Sequence, residues 1–202
     1  EPLSKRVPMP FIDRFGQYAH ADWPGKVHTE QDLADRSASE AKDLASKSQS
    51  RDRDRFGGWS AGPKLDATGW FRTEKIDGRW WLVDPDGHLF FSTGIDCIGL
   101  GDPTFVDKRE KWFAWLPDQQ GAFASCFADG QGSRMAETVG GKGRAFSFYR
   151  ANLIRKFGED YEKQWRERVY QRLRAWGFNT VGNWANEAVL THSTVPFVAS
   201  TG

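Results

Sequence analysis

Long apolar segments are missing from this chain of 202 residues, and no run approaches the roughly 18 residues that a membrane-spanning helix needs. A charge excess is missing too. The 28 Lys and Arg balance 27 Asp and Glu to a net charge of +1, which argues against a nucleic-acid binder with a basic face. Two cysteines, Cys97 and Cys126, are too few for a disulfide scaffold, and the sequence leaves their redox state open. No signal peptide is visible after Glu1.

Recognisable cofactor motifs are also absent. The four histidines and two cysteines are scattered without metal-ligand spacing, and no phosphate-binding glycine motif lies between a strand and a helix. The Gly140–Gly143 segment follows no predicted strand, so we interpret it as a flexible loop. The sequence therefore predicts neither a metal nor an organic cofactor.

Tryptophan is abundant: there are ten, within 14% aromatic residues, although the mean hydropathy is only -0.65. Flat amphipathic rings stack on the apolar faces of sugars, so this composition favours a carbohydrate ligand. The alternative is that the rings fill the core or anchor an interface.

Within the first 96 residues the sequence predicts an arm, a helix, a hairpin, a second turn and a strand. A proline-rich arm covers residues 1–27, and a capped amphipathic helix is predicted over 29–48. A hairpin follows over 69–83 with its turn at Asp77–Gly78, and a second turn covers 84–87. A mostly apolar strand is predicted over 88–96.

The remainder alternates helix and strand after a long connection. Residues 97–150 are glycine-rich without a sustained period, which is typical of a functional or disordered connection. The later elements are a helix over 149–176 that stops at Gly177, a strand over 178–183, a short helix over 186–190 and a strand over 195–200. This βαβαβ order predicts a parallel sheet.

Three such strands cannot close a barrel of eight. The expected fold is α/β: the N-terminal portion of a (β/α)8 TIM barrel, with a preceding helix and β-hairpin, ending after barrel strand 3 or completed by a second polypeptide. We divide the chain into an arm and helix that pack on the barrel, residues 1–68, and the hairpin with the first three βα units, residues 69–202.

Several strings resemble glycoside hydrolase family 50, the β-agarases. They are Phe15-Gly-Gln-Tyr-Ala-His-Ala-Asp-Trp-Pro-Gly-Lys-Val-His28, the stretch from Gly57-Gly-Trp-Ser to Phe71-Arg-Thr-Glu-Lys75, Gly78-Arg-Trp-Trp-Leu-Val-Asp-Pro-Asp-Gly-His-Leu-Phe-Phe91 and Trp176-Gly-Phe-Asn-Thr-Val-Gly-Asn-Trp184. The resemblance runs from about residue 11 to residue 202 and implies the N-terminal part of the catalytic module.

The resemblance implies a retaining barrel glycosidase that cleaves β-1,4 bonds of agarose or agaro-oligosaccharides with two carboxylates. The family carries these after its fourth and seventh strands, so both catalytic glutamates are expected downstream of this chain and no catalytic residue is assigned within it. It also implies a secreted or periplasmic bacterial protein. The balanced charge and the short apolar runs predict neither a nucleic-acid nor a membrane partner. Endo or exo action and the oligomeric state stay open.

Candidate substrate contacts follow from barrel architecture, because active sites lie at the carboxyl ends of the strands. Those ends carry Asp96, then Asn183 and Trp184, and finally Ser200 and Thr201. Asp96 and Asn183 can hydrogen-bond sugar hydroxyls, and Trp184 can form a stacking platform. A buried carboxylate that fixes a loop is the alternative for Asp96.

Trp112 and Trp115, three residues apart, share a face if they lie on a short helix, and either wall a cleft or pack on the barrel rim. We expect one to contact substrate and the other to pack. His88 is expected to have a structural role, and Cys97 to be a buried thiol.

Two alternatives to the agarase hypothesis remain. One is a non-catalytic carbohydrate-binding or assembly module that uses its tryptophans. The other is a related barrel β-galactosidase with a different galactan substrate, because loop residues set specificity.

Overall fold

The structure, a computed structural model, describes residues 7–47, 51–101, 103–131 and 142–199. These residues form two compact units, and each unit combines two separate stretches of the chain. The first unit comprises 7–38 and 100–162, and the second comprises 39–99 and 163–199. The division at residue 68 that the sequence suggests stays a prediction. Within the described ranges, no helix is long and apolar enough to cross a membrane.

The predicted N-terminal helix is confirmed as α1, Glu30–Ser46. Its capping box is formed in both directions: Thr29 Oγ1 accepts the Asp32 amide at 3.1 Å, and Asp32 Oδ2 accepts the Thr29 amide at 2.9 Å. Asp32 Oδ2 also accepts the His28 amide at 2.8 Å. The backbone hydrogen bonds that this carboxylate accepts, first that from His28 and then that from Thr29, lower the pKa of Asp32. A carboxylate in the first turn also suits the helix dipole.

The first unit contains a small antiparallel sheet where the sequence analysis expected only a connection. Its strands β5, Thr104–Phe105, β6, Phe127–Gln131, and β7, Lys142–Phe146, lie in the order β5-β7-β6. Residues 97–150, predicted to be a functional or disordered connection, therefore include regular strands that the sequence pattern did not indicate. Gly130 and Gly143 are paired across β6 and β7. Because glycine has no side chain, they interrupt the alternation of apolar and polar residues by which a strand is predicted from sequence.

The core of this unit is largely aromatic. Val106 and Phe146 are completely buried, and the rings of Phe113 and Phe148 stack with their centroids 5.6 Å apart. Helix α2, Phe148–Phe157, begins directly after β7 and is capped by Ser147, whose hydroxyl accepts the Arg150 amide at 3.1 Å.

The long helix predicted over 149–176 is divided. Helix α2 ends at Gly158, which has φ of +69°, and a 3-10 turn leads into α3, Tyr161–Ala175. A residue with this positive φ cannot continue an α-helix, so the helix breaks at Gly158. The regular spacing of apolar residues continues past the break, which is why the sequence predicted one helix. Gly177 ends α3 as expected, with φ of +81°.

The predicted hairpin of the second unit is confirmed. Strands β1, Arg72–Ile76, and β2, Arg79–Val83, pair antiparallel, and the turn residues Asp77 and Gly78 have φ of +49° and +80°. A third strand, β3, Leu89–Phe90, adds to β2.

The single strand predicted over 88–96 is wrong, because β3 ends at Phe90 and β4, Gly94–Ile95, belongs to another sheet. The buried carboxamide of Asn179 satisfies the backbone at this break. Its oxygen accepts the Thr93 amide at 2.8 Å, and its nitrogen donates to the Phe91 carbonyl at 3.0 Å. The chain can therefore leave one sheet for the other without losing hydrogen bonds.

Strand β4 pairs parallel with β8, Thr180–Val181, as the βαβ pattern predicts. Helix α3 precedes β8, and the short helix α4, Glu187–Thr191, follows it. The third predicted strand is reduced to one parallel bridge between Val181 and Phe197, with Val181 N–H donating to Pro196 O at 2.8 Å. Residues 200–202 lie outside the described residues.

Within the part of the chain that the structure describes, one five-residue turn occurs three times, over 13–17, 54–58 and 84–88. In each, an aspartate begins the turn, Oδ1 accepts the amides two and four residues later at 2.8–2.9 Å, and the glycine at the fourth position has φ between +83° and +91°. The first two copies share the string Asp-Arg-Phe-Gly, which the sequence analysis did not notice.

Candidate functional site

The structure brings Asp96 and Asn183 together at the carboxyl ends of two paired strands. β4 and β8 are aligned with Ile95 opposite Val181, so the next residues leave the sheet side by side. Asp96 Oδ1 accepts the Asn183 amide at 2.8 Å, and the Cys97 amide donates to the Asn183 carbonyl at 2.8 Å. The carboxylate therefore helps to hold the second strand end in place.

Strained backbone marks both strand ends. Cys97 and Trp184 each have φ of +57°, a left-handed conformation that side chains with a Cβ rarely adopt. Such strain is concentrated at functional sites, where the surrounding contacts hold it. The indole of Trp184 is 74% exposed, so it presents a large apolar face beside the polar Asp96 and Asn183.

Gly182 belongs to this site, and the sequence analysis missed it. A Cβ at this position would overlap Asp96 Oδ1 and approach Asp96 Cγ to 3.1 Å and Ile95 O to 3.0 Å. The absence of a side chain thus makes room for the carboxylate. The glycine in the Val-Gly-Asn string could have indicated this, because a glycine within a strand is typical of a position where other atoms approach the backbone closely.

Trp112 and Trp115 lie in the other unit, and both pack against its aromatic core. Only Glu110–Trp112 is helical, as a single 3-10 turn, so Trp115 lies beyond it and the two do not share a helix face. Trp115 meets Phe146 edge-on at 5.8 Å, and the Arg155 guanidinium lies 4.5 Å from its ring centroid. A substrate contact by either tryptophan stays a prediction.

The expectation that Cys97 is buried is wrong. Cys97 is exposed and Cys126 is buried, and both are free thiols. Strand β4 ends at Ile95, so the chain has already left the sheet at Cys97. Burial raises the pKa of the Cys126 thiol, which makes it less reactive.

A second polar cluster, formed by Asp54, Asp84 and His88, was missed entirely. Asp54 Oδ2 lies 2.8 Å from His88 Nδ1, and Asp84 Oδ2 lies 3.8 Å from the same nitrogen. Asp84 is fully buried, and the other two side chains are about nine-tenths buried. Among the described residues, these three each offer one atom that could bind a metal ion, and the three atoms lie within 4.8 Å of one another. They come from two of the repeated turns, 30 residues apart in sequence, so spacing alone gave no signal.

The two carboxyl groups of this cluster differ in their proton affinity. Burial raises the pKa of Asp84, and the hydrogen bond and negative charge of Asp54 raise it further. Burial acts in the same direction on Asp54, but hydrogen bonding to its neighbours, including His88 and two backbone amides, outweighs it and lowers the pKa of Asp54. His88 is held between them, in agreement with a structural role.

Comparison with known proteins finds relatives over nearly the whole chain. No family model matches the chain. Two curated relatives from Vibrio sp. (strain JT0107) do match: Beta-agarase B is 38% identical over 94% of the chain, and Beta-agarase A is 32% identical over 93%. The chain spans 22% and 19% of the lengths of these relatives.

Solved structures resemble the chain over the same extent. The structure of PfGH50B and the crystal structure of an agarase, AgWH50C, each superpose with a TM-score of 0.80 and cover 94% of this chain. Their sequences are 37% and 38% identical to it, and the matched region makes up 30% and 29% of those chains.

Proposed function

The chain belongs to glycoside hydrolase family 50, and from that premise we propose that it forms part of a retaining β-agarase that cleaves β-1,4-galactosidic bonds of agarose. The observation that carries the proposal is the match to agarases over 94% of the chain, in sequence and in fold.

We propose that β4, β8 and the segment around Phe197 are the first three strands of a (β/α)8 barrel. Their parallel pairing in chain order, with α3 and α4 between successive strands, supports this assignment. The remaining strands belong to the rest of the enzyme, on the same or on a second polypeptide.

Asp96, Asn183 and Trp184 then contribute to the substrate cleft, because barrel enzymes bind at the carboxyl ends of their strands. The exposed indole can stack on the apolar face of a galactose unit, while the carboxylate and the carboxamide can hydrogen-bond its hydroxyls. The hydrogen bond from the Asn183 amide to Asp96 fixes the spacing of these groups before substrate binds.

Catalysis itself requires two carboxyl groups about 5–5.5 Å apart, one as the acid/base and one as the nucleophile. We propose that both glutamates lie downstream of this chain, after the fourth and seventh barrel strands. The chain contributes walls of the cleft, and a substrate of this kind is consistent with secretion to where the polysaccharide occurs.

The test is agarose hydrolysis by the full-length protein and its Trp184→Ala variant. We expect β-1,4 cleavage with retained anomeric configuration by NMR, and a KM raised about tenfold in the variant, a loss of about 1.4 kcal/mol of binding, with kcat little changed. Trp176→Ala is the matched control, because Trp176 is also exposed but follows α3 rather than a strand end.

Three outcomes would contradict the proposal. Inverted products would exclude the retaining mechanism, and activity confined to another β-galactoside would favour a related β-galactosidase. Binding of agarose without hydrolysis by the full-length protein would favour a non-catalytic binding module. Equal KM values for wild type and Trp184→Ala would remove Trp184 from the cleft and leave the family assignment intact.

A further inference from the structure

Two of the repeated turns, over 54–58 and 84–88, face each other in the second unit through their first residues. Each aspartate uses Oδ1 to accept two backbone amides of its own turn, at 2.8–2.9 Å. This leaves Oδ2 of each carboxyl group directed toward His88. The cluster therefore joins two local turns through the oxygens that the turns do not use.

The Oδ2 atom of Asp84 is the unusual atom of this cluster. Asp84 has no exposed surface, so this atom is fully buried. If Asp84 is ionised, none of the described residues donates a hydrogen bond to it. Gly58 packs so tightly beside it that a Cβ there would overlap it. A buried, unpaired anionic oxygen beside a second carboxylate carries a large desolvation cost.

The contact with Lys64 determines which nitrogen of His88 carries the proton. Lys64 Nζ lies 3.2 Å from His88 Nε2, and an ammonium group can only donate. Nε2 is therefore the acceptor, and the neutral imidazole carries its hydrogen on Nδ1. Nδ1–H donates to Asp54 Oδ2 at 2.8 Å, so His88 has no donor left for Asp84.

We propose that Asp84 and Asp54 form a proton-binding site in which Asp84 stays a neutral acid at neutral pH and donates its hydrogen bond to Asp54. Lys64, His88, Asp54 and Asp84 then form one chain of hydrogen bonds with one positive and one negative charge. The proton supplies the donor that Oδ2 of Asp84 lacks and binds the two turns to each other.

The opposite pKa shifts of the two aspartates agree with this assignment, because two adjacent carboxyl groups in a buried site cannot both ionise easily. Other charges near the pair are those of Arg55 and Asp86. They are joined in their own ion pair, with Arg55 Nε 2.8 Å from Asp86 Oδ2, and largely offset each other.

A divalent cation is the competing occupant, because the three side chains are close enough to hold one. It would have to bind His88 through Nδ1, the nitrogen that carries the hydrogen in this arrangement, and would lie across the ring from the Lys64 ammonium. A proton satisfies the same oxygen without disturbing either contact, so we favour the proton.

The first measurement is infrared difference spectroscopy of the full-length protein at neutral pH, wild type minus Asp84→Asn. We expect the carbonyl stretch of a neutral carboxylic acid. Wild type minus Asp86→Asn, the control from the same turn, should give carboxylate stretches only, because the ion pair with Arg55 lowers the pKa of Asp86. A carboxylate band in the Asp84 difference would overturn the proposal.

The second measurement is the thermal unfolding midpoint between pH 4 and 8. A raised native pKa gives stability that is complete below the unfolded value of about 3.9 and is lost as the pH rises through the native pKa. The difference between the two midpoints, Asp84→Asn minus wild type, should therefore increase by roughly a few degrees as the pH rises from 4 to 8. The Asp86→Asn difference should stay nearly constant over this range, because the lowered pKa of Asp86 confines its loss of stability to pH values below the unfolded value of about 3.9, and a flat Asp84→Asn difference would contradict the proposal.

Two further arms keep the test decisive. If Asp84→Asn does not fold, Asp54→Asn replaces the group that accepts the Asp84 proton. Burial still favours the neutral form of Asp84, so wild type minus Asp54→Asn should show a shift or loss of the acid band, and an unchanged acid band would contradict the proposal. If Zn²⁺, Mn²⁺ or Ca²⁺ raises the midpoint of chelator-treated wild type but not of Asp84→Asn, the site holds a cation and the proton assignment is wrong.

Discussion

The contact between Gly182 and Asp96 yields the sharpest prediction about the candidate site. Gly182 has an ordinary φ, so Gly182→Ala is unstrained in its backbone, and its effect comes from the new Cβ alone. That Cβ would overlap Asp96 Oδ1, which must move and give up its 2.8 Å hydrogen bond with the Asn183 amide.

The expected cost has two parts. Overpacking at a tight position costs about 1–3 kcal/mol, and the lost hydrogen bond, at an exposed carboxylate, costs about 1 kcal/mol. Gly182→Ala should therefore lower the free energy of unfolding by about 2–4 kcal/mol. Asp96→Ala alone should cost only about 1 kcal/mol, because it removes the hydrogen bond and adds no atom.

The double variant distinguishes this mechanism from a general defect. Without the Asp96 carboxylate the new Cβ keeps only the close contact with Ile95 O at 3.0 Å, so the double variant should be nearly as stable as Asp96→Ala alone, a coupling of about 2–4 kcal/mol. Gly99→Ala is the control, because its Cβ would meet nothing nearer than Cys97 O at 3.9 Å. Urea unfolding of the full-length protein measures all four. Additive costs for the two changes would refute the steric argument.

Two further predictions concern buried groups. Tyr170→Phe removes the buried hydrogen bond from the hydroxyl to Val189 O at 2.7 Å and should lower the free energy of unfolding in urea by about 1–2 kcal/mol. Because burial raises the pKa of Tyr170, the wild type should also lose stability relative to Tyr170→Phe above about pH 10. A stability difference that stays constant with pH would contradict this. Phe146→Ala should lower the free energy of unfolding by about 3–5 kcal/mol, because Phe146 is completely buried. Phe91→Ala, at a residue that is 74% exposed, should lower it far less. Similar losses of stability in the two variants would contradict the assigned core.

The sequence was most informative where structure depends on neighbouring residues. The capping box at Thr29 and Asp32 and the hairpin turn at Asp77 and Gly78 are both local hydrogen-bond or dihedral requirements, and both are present as predicted. The alternation of strand and helix also led to the parallel pairing of β4 with β8.

Long-range interactions account for what was missed. The break between β3 and β4 depends on the Asn179 carboxamide, which comes from a segment more than 80 residues away. The cluster of Asp54 and Asp84 likewise depends on two turns meeting in space. For the candidate site, barrel architecture led to Asp96 and Asn183. The role of Gly182 is to leave space for a side chain distant in sequence, and a sequence pattern does not show such a role.

The repeated five-residue turn has a consequence for how the chain folds. Each copy closes with hydrogen bonds among its own residues, including the amide of its first residue to the carbonyl of its last at 2.8–3.0 Å. A loop this short closes in well under a microsecond, far faster than contacts between distant segments can form. The three turns therefore provide early local order at Asp13, Asp54 and Asp84, before their neighbours along the chain have found their partners. Asp54 and Asp84 then meet as parts of turns that each close with their own hydrogen bonds.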